Sequence, residues 1–166
     1  AESLKANGVH IAIESCLYAD YERQIEPLLP LVDLWMVDVK AMDDERHRAA
    51  TGKPVTPILN NIRRLSQDGA NVIIRVPVVV GLNDDKETMN RMAGFLSRET
   101  RILRVDLLKM HKLAQHKYEA LGRVYPAQDF PIPSDDQLYS LARLLAASKL
   151  DVMIGESIPP QNDEEE

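Results

Sequence analysis

The chain has almost no cysteine. Cys16 is the only one in 166 residues, which excludes an internal disulfide framework and any multi-cysteine cluster held by this chain alone. Aromatic residues make up only 5% of the sequence, so a core must be built from aliphatic side chains. No apolar run reaches the ~18 residues that a membrane-spanning helix needs. No stretch of signal-peptide type opens the sequence, and a cytoplasmic location with no membrane association is the expectation. A basic excess is also missing. The formal net charge is −6, and the chain ends in Asp163-Glu164-Glu165-Glu166. Without that end the body is nearly neutral, so no nucleic-acid partner is expected. Residues 159–166 are expected to form an acidic, disordered tail. Residues 1–158 are expected to form one domain, long enough for a real core.

Three apolar runs stand out, because each carries charges that a packed core would reject. They are Leu34-Trp35-Met36-Val37-Asp38-Val39-Lys40, Val72-Ile73-Ile74-Arg75-Val76-Pro77 and Val105-Asp106-Leu107-Leu108-Lys109-Met110-His111. Asp, Arg and Lys are rarely buried unless paired. Charges near the carboxyl ends of successive parallel strands point to a ligand site at the top of a barrel or α/β sheet. On a strand, Met36, Asp38 and Lys40 share one side. A carboxylate beside an ammonium, with an arginine from the next strand, suits a zwitterionic ligand.

The rest of the chain alternates strand and helix. Strands are expected at 9–15, 34–40, 72–79, 102–108 and 151–154, with near-continuous apolar character. The first residues read as the end of a helix, with Gly8 as a left-handed cap. A helix is expected over 21–29, stopped by Pro30, and a short one over 43–50. Thr56 reads as the cap of a helix with Pro57 in its first position, ending before Gly69. Asn83 reads as the cap of the next helix, with Asp84 and Asp85 complementing its dipole and Met89, Met92 and Phe95 on its core face. A short helix over 114–121 follows. Ser134 and Gln137 suggest a capping box for the last helix. Cys16 is expected to be a buried thiol at a strand end. Five strands are too few to close an eight-stranded barrel, and an opening on a helix tail lacks the strand that should precede it. The expected fold is therefore α/β, an incomplete parallel β/α (TIM-like) barrel of about five strands with its N-terminal strands missing. The alternative is a ragged N-terminus packed as a short helix.

Several stretches, in order, carry a resemblance over about residues 4–155. They are Gly8-Val9-His10-Ile11-Ala12-Ile13-Glu14-Ser15, Asp33 through Lys40, Ile58-Leu59-Asn60-Asn61-Ile62-Arg63-Arg64-Leu65, and Ile73-Ile74-Arg75-Val76-Pro77 continuing through Gly81-Leu82-Asn83-Asp84. Leu107-Leu108-Lys109-Met110-His111-Lys112-Leu113 and His116-Lys117-Tyr118-Glu119-Ala120-Leu121-Gly122 complete the set. The sequence resembles the carboxyl-terminal part of the glycyl-radical-enzyme activating enzymes, radical S-adenosylmethionine enzymes typified by the pyruvate formate-lyase activating enzyme. It departs from them in two ways. The three-cysteine cluster motif and the glycine-rich motif of the family are absent, and both belong upstream of Ala1. Lys109-Met110 also stands where the family usually has proline and an aromatic residue.

The resemblance implies a site. Lys40 would contact the methionyl carboxylate or ribose side of S-adenosyl-L-methionine. Asp38 would meet the sugar hydroxyls, and Arg75 the cofactor carboxylate. His111 would lie near the adenosyl end. Glu14, Ser15, Met36 and Asp38 would surround a monovalent cation. Each has a plainer alternative: a structural Asp38–Lys40 ion pair, an Arg75 salt bridge to an acidic loop residue, a solvated Glu14, a hydrogen-bonding loop role for His111. By the same resemblance the intact protein would hold a [4Fe-4S] cluster whose ligands are not in this chain. It would form a 5′-deoxyadenosyl radical and use it to generate a glycyl radical on a partner enzyme. A reductant such as flavodoxin or ferredoxin and the missing N-terminal half of the barrel would be further partners. Alone, the chain would be inactive. Other readings are a non-catalytic nucleotide-binding or complementing half-barrel, and a small α/β enzyme using Lys40 as a Schiff-base nucleophile.

Overall fold

The computed structural model describes residues 1–110, 115–124 and 130–155. The expected tail at 159–166 and His111 lie outside the described residues. The elements are α1 (Glu2–Ala6), β1 (Ala12–Ser15), β2 (Leu34–Asp38), α2 (Asp44–Thr51), α3 (Thr56–Gln67), β3 (Val72–Val78), α4 (Lys86–Glu99), β4 (Arg104–Lys109), α5 (Gln115–Ala120), α6 (Asp135–Ala146) and β5 (Val152–Gly155). The five strands form one sheet in sequence order, and every neighbouring pair is parallel. Parallel neighbours need a crossover, which α3, α4 and α6 supply between the later strands. Among the described residues β1 and β5 each pair on one side only. The sheet is open, as the expected incomplete barrel requires.

One face of the sheet is the core. Val37 of β2, Ile74, Val76 and Val78 of β3, and Val105 and Leu107 of β4 are all 0% exposed. They pack in one cluster with Ile58, Ile62 and Leu65 of α3, Met89 and Met92 of α4, and Leu138 and Leu145 of α6. In α3 these residues recur at helical spacing, so a single stripe meets the sheet. Ser134 caps α6 in a full capping box with Gln137, which satisfies two of the orphan donors at the helix start.

Four local expectations are corrected. Residues 21–29 do not form an α-helix; they form a π-helical turn, Tyr21–Ile25, and a 3-10 turn, Glu26–Leu28. Pro27 has no N–H to donate four residues back, so the α ladder cannot pass it. Thr56 is not a cap, since α3 begins at Thr56; instead the Asp44 carboxylate accepts from the Val55 and Thr56 backbone N–H groups, both at 2.9 Å. Asn83 does not cap α4. Asp85 does, accepting from the Thr88 N–H at 2.8 Å. Finally, Cys16 is exposed rather than buried. Alternation after Glu14 turns it to the uncovered face, and Leu17 takes the buried position at 1% exposure.

Candidate functional site

The second face of the sheet carries the charges. Strand pairing sets Asp38 opposite Arg75 and Arg75 opposite Asp106, in one row across β2, β3 and β4. A neighbouring row joins Glu14, Met36, Ile73 and Arg104. Parallel pairing without slip keeps such rows on one face. The same alternation that buries Val37, Ile74 and Val76 against the helices turns Met36, Asp38 and Arg75 away from them.

These side chains meet. Arg75 Nη1 lies 2.7 Å from Glu14 Oε1, and Arg75 Nε lies 3.8 Å from Asp38 Oδ1. Lys40 Nζ donates to Asp38 Oδ2 at 3.0 Å. Glu14, Arg75, Asp38 and Lys40 thus form one continuous ion network across three strands. The hydrogen bond that Arg75 donates to Glu14 holds its guanidinium above its ordinary pKa against the opposing effect of burial, with Asp38 and Asp106 adding to it. A second pair lies on the same face: Arg104 Nε donates to Asp106 Oδ1 at 2.7 Å. In the sequence Asp106 stands out only as a charge within an apolar run, and Arg104 does not stand out. Their position opposite Ile73 and Arg75 is a property of register, which spacing within one strand does not reveal.

Beside Lys40, at the carboxyl ends of the strands, lies a cleft of about 720 Å³. Ala49 and Ala50 of α2, Val79 and Leu82 of the loop after β3, and Phe130 line it. Its walls are mostly apolar, and among the described residues its charged group is Lys40. An amphipathic ligand with an anionic end fits such a surface.

The other proposed residues divide. Met36 shares the face of Asp38, next to Glu14. Ser15 pairs with Val37, a buried residue of β2, and so lies on the helix side; its Oγ accepts from the Leu17 N–H at 2.9 Å. The side chains of Glu14, Met36 and Asp38 thus share one face of the sheet, and that of Ser15 lies on the other. Among the described residues no group of three or more His, Cys, Asp and Glu side chains could hold a metal ion. A single exposed Cys16 does not fit the ligand set of an iron–sulfur cluster either. No helix of the described residues is long and apolar enough to cross a membrane.

No protein-family model matches the chain. It is 37% identical over 153 residues to the trans-4-hydroxy-L-proline dehydratase activating enzyme of Clostridioides difficile, covering 91% of this chain and 50% of that protein. It is 34% identical to the benzylsuccinate synthase activating enzyme of Thauera aromatica, with 93% and 48% covered. Against the pyruvate formate-lyase-activating enzyme of Staphylococcus aureus the identity is 32%, with 84% and 58% covered. The chain thus spans about half the length of the curated relatives it matches. In fold it is similar to a crystallised domain of the pyruvate-formate lyase-activating enzyme of Bacteroides vulgatus, with a TM-score of 0.76 at 24% identity over 92% of this chain and 84% of that one. A radical SAM methyltransferase of Sphaerobacter thermophilus shares the fold at a TM-score of 0.60 and 19% identity, over 77% of this chain and 35% of that one. Three relatives of one kind, each matched across most of this chain and about half of its own length, agree with the open parallel sheet: over 84–93% of its length the chain is similar to glycyl-radical-enzyme activating enzymes.

Proposed function

We propose that this chain supplies one wall of an S-adenosyl-L-methionine site in a radical activating enzyme whose substrate is a backbone glycine of a glycyl radical enzyme. The observation that carries the proposal is the ion network of Glu14, Arg75, Asp38 and Lys40, whose Lys40 end lines a mostly apolar cleft. Lys40 offers an ammonium to a carboxylate, Asp38 accepts from an ammonium or hydroxyl, and the cleft shelters an apolar ring. The cluster and S-adenosylmethionine of the whole protein would supply the radical chemistry. This chain's own residues bind, orient and shield. Arg75, already paired with Glu14, serves better to hold Asp38 in place than as a free donor to a ligand carboxylate. His111 is retained as a proposed contact to the adenosyl end.

The chain has one cysteine, so by this reading it does not reduce or cleave the cofactor alone. A cluster-bearing half, acting as a separate or covalent partner along β1, and a reductant such as flavodoxin or ferredoxin would complete the activity. A non-catalytic nucleotide-binding or complementing half is the second reading, and it shares the same cleft. The Schiff-base reading is weakened because the Lys40 amine is engaged in an ion pair with Asp38 at 3.0 Å.

Titration calorimetry with S-adenosyl-L-methionine tests the proposal. Binding should be saturable and should weaken about tenfold or more in Lys40→Ala, the order of loss for a charge-assisted hydrogen bond. Thermal unfolding should be unchanged. Absence of binding, both to the chain and to the chain joined with a cysteine-bearing half, would overturn it.

A further inference from the structure

We infer that Asn83 is the positioning residue for Lys40, joining the ends of β2 and β3 where their backbone ladder cannot continue. Pairing of the two strands reaches Asp38 and Arg75, and the Val39 N–H still donates to the Arg75 carbonyl at 2.9 Å. In a parallel pair the next bond would come from the amide of residue 77. Pro77 has no N–H. The strands lose their link just below the point where Lys40 enters the cleft.

The Asn83 carboxamide takes over. Its Nδ2 donates to the Lys40 carbonyl at 3.1 Å and to the Pro77 carbonyl at 2.8 Å. Its Oδ1 accepts from the Val79 N–H at 2.8 Å. The side chain is 0% exposed, so water does not compete for these bonds. Two donors and an acceptor on one short side chain are what the position uses. Aspartate lacks the donors, serine has one, and glutamine is a carbon longer. Lys40, Pro77 and Val79, whose backbones Asn83 holds, all line the cleft. Asn83 itself does not line the cleft. It sets the distance between the Lys40 backbone and β3, and with it the placement of the Lys40 ammonium relative to Asp38 and Arg75.

A second buried asparagine provides the control. Asn61 of α3, 7% exposed, donates from Nδ2 to the Leu17 and Ala19 carbonyls, both at 2.9 Å. It clamps the chain after β1 and does not touch Lys40. Replacing either asparagine leaves buried carbonyls without a donor, so both changes should lower the melting temperature. Only loss of Asn83 should free Lys40.

The test is acetylation of the native chain by acetic anhydride, read by mass spectrometry at each lysine, in wild type, Asn83→Ser, Asn83→Ala and Asn61→Ala. Lys40 should be modified severalfold faster in the Asn83 variants, with Lys5 and Lys109 unchanged as internal references. Asn61→Ala should leave Lys40 at the wild-type rate. An unchanged Lys40 in whichever Asn83 variant folds, or an equal rise in Asn61→Ala, would overturn the inference. The consequence for ligand binding rests on the proposed S-adenosylmethionine site and is measured separately. Asn83→Ser should weaken S-adenosyl-L-methionine about tenfold, as small misplacements of a binding group do, and leave methylthioadenosine, which lacks the amino-acid end, unaffected. If Lys40 is freed selectively but wild type binds neither compound, the site reading fails and the role of Asn83 stands.

Discussion

The two faces of this sheet are made by the same strands, yet they obey opposite rules. In β3, Ile74 and Val76 are 0% exposed against the helices. Arg75, between them, points the other way into an ion network with Glu14 and Asp38. A closed eight-stranded barrel fills its interior with layers of branched aliphatic side chains. The inner rows here are mixed, with Met36 and Ile73 among Glu14, Asp38, Arg75, Arg104 and Asp106. The helix-covered face carries the folding energy. The open face carries partly exposed, mutually paired charges, which keeps it from being a second core.

The sharpest way to break this contrast is to mutate adjacent residues of β3. Ile74→Ala removes a fully buried side chain and should cost about 2–5 kcal/mol, through lost transfer energy and the cavity left behind. Arg75→Leu changes a partly exposed ion pair and should alter stability by about 1 kcal/mol or less. Urea unfolding at neutral pH measures both. Comparable losses at the two positions would mean that the inner face is also structural core, and that its charges are there to be buried by something this chain already contains.

Much of this division was legible in the sequence. Continuous aliphatic runs gave the parallel strands, because residues buried under helices cannot alternate with water-facing ones to the usual degree. Asp38, Lys40 and Arg75 were recognisable as misfits in those runs, and the structure brings them together with Glu14. What stayed hidden depends on contacts between elements. Arg104 and Asp106 share one side of β4 by their spacing, but that this side is the one carrying Arg75 follows from register. The role of Asn83 follows from the missing N–H of Pro77 on another element, so a local rule read it as a helix cap. The same rule misplaced the start of α3, where a carboxylate from α2 does the work of a cap. The face of Cys16 was likewise misjudged, because a strand end was taken to be buried on both sides.

A smaller effect sharpens the comparison at the edge of the covered face. Ser134 starts α6, the helix that packs on β4 and β5, and its hydroxyl accepts from the Gln137 N–H at 3.2 Å. Ser134→Ala should destabilise the chain by about 1 kcal/mol, with no change in binding at the open face. The Ser134→Asp variant, which keeps an acceptor at the same reach, should restore most of it. If Ser134→Ala instead weakens ligand binding without lowering the unfolding midpoint, the two faces are coupled through α6 and cannot be treated separately.

The smallest effect is the dependence on acid, and it arises on the rim between the faces. Asp85 accepts from the Thr88 N–H at 2.8 Å, from the Thr88 hydroxyl at 2.9 Å and from Arg46 Nη1 at 2.5 Å. Burial alone would raise its pKa. The Thr88 and Arg46 hydrogen bonds outweigh that and bring it down to about 2 from an ordinary 3.8. With the folded value below the unfolded one, the unfolded chain binds more protons between them, so stability rises with pH across that window. The contribution is complete above the ordinary value and is lost as the pH falls through the folded one. Arg46 reaches from α2 to the start of α4, so the bond also ties α4 to the helix that lines the cleft. The Asp85→Asn variant should therefore be less stable than wild type by a constant margin near neutrality, and the margin should close as the pH approaches about 2. Chemical unfolding of both chains across that range gives the margin directly. A margin that persists undiminished in acid would assign the stabilisation to the shape of the cap, and not to the charge that binds Arg46.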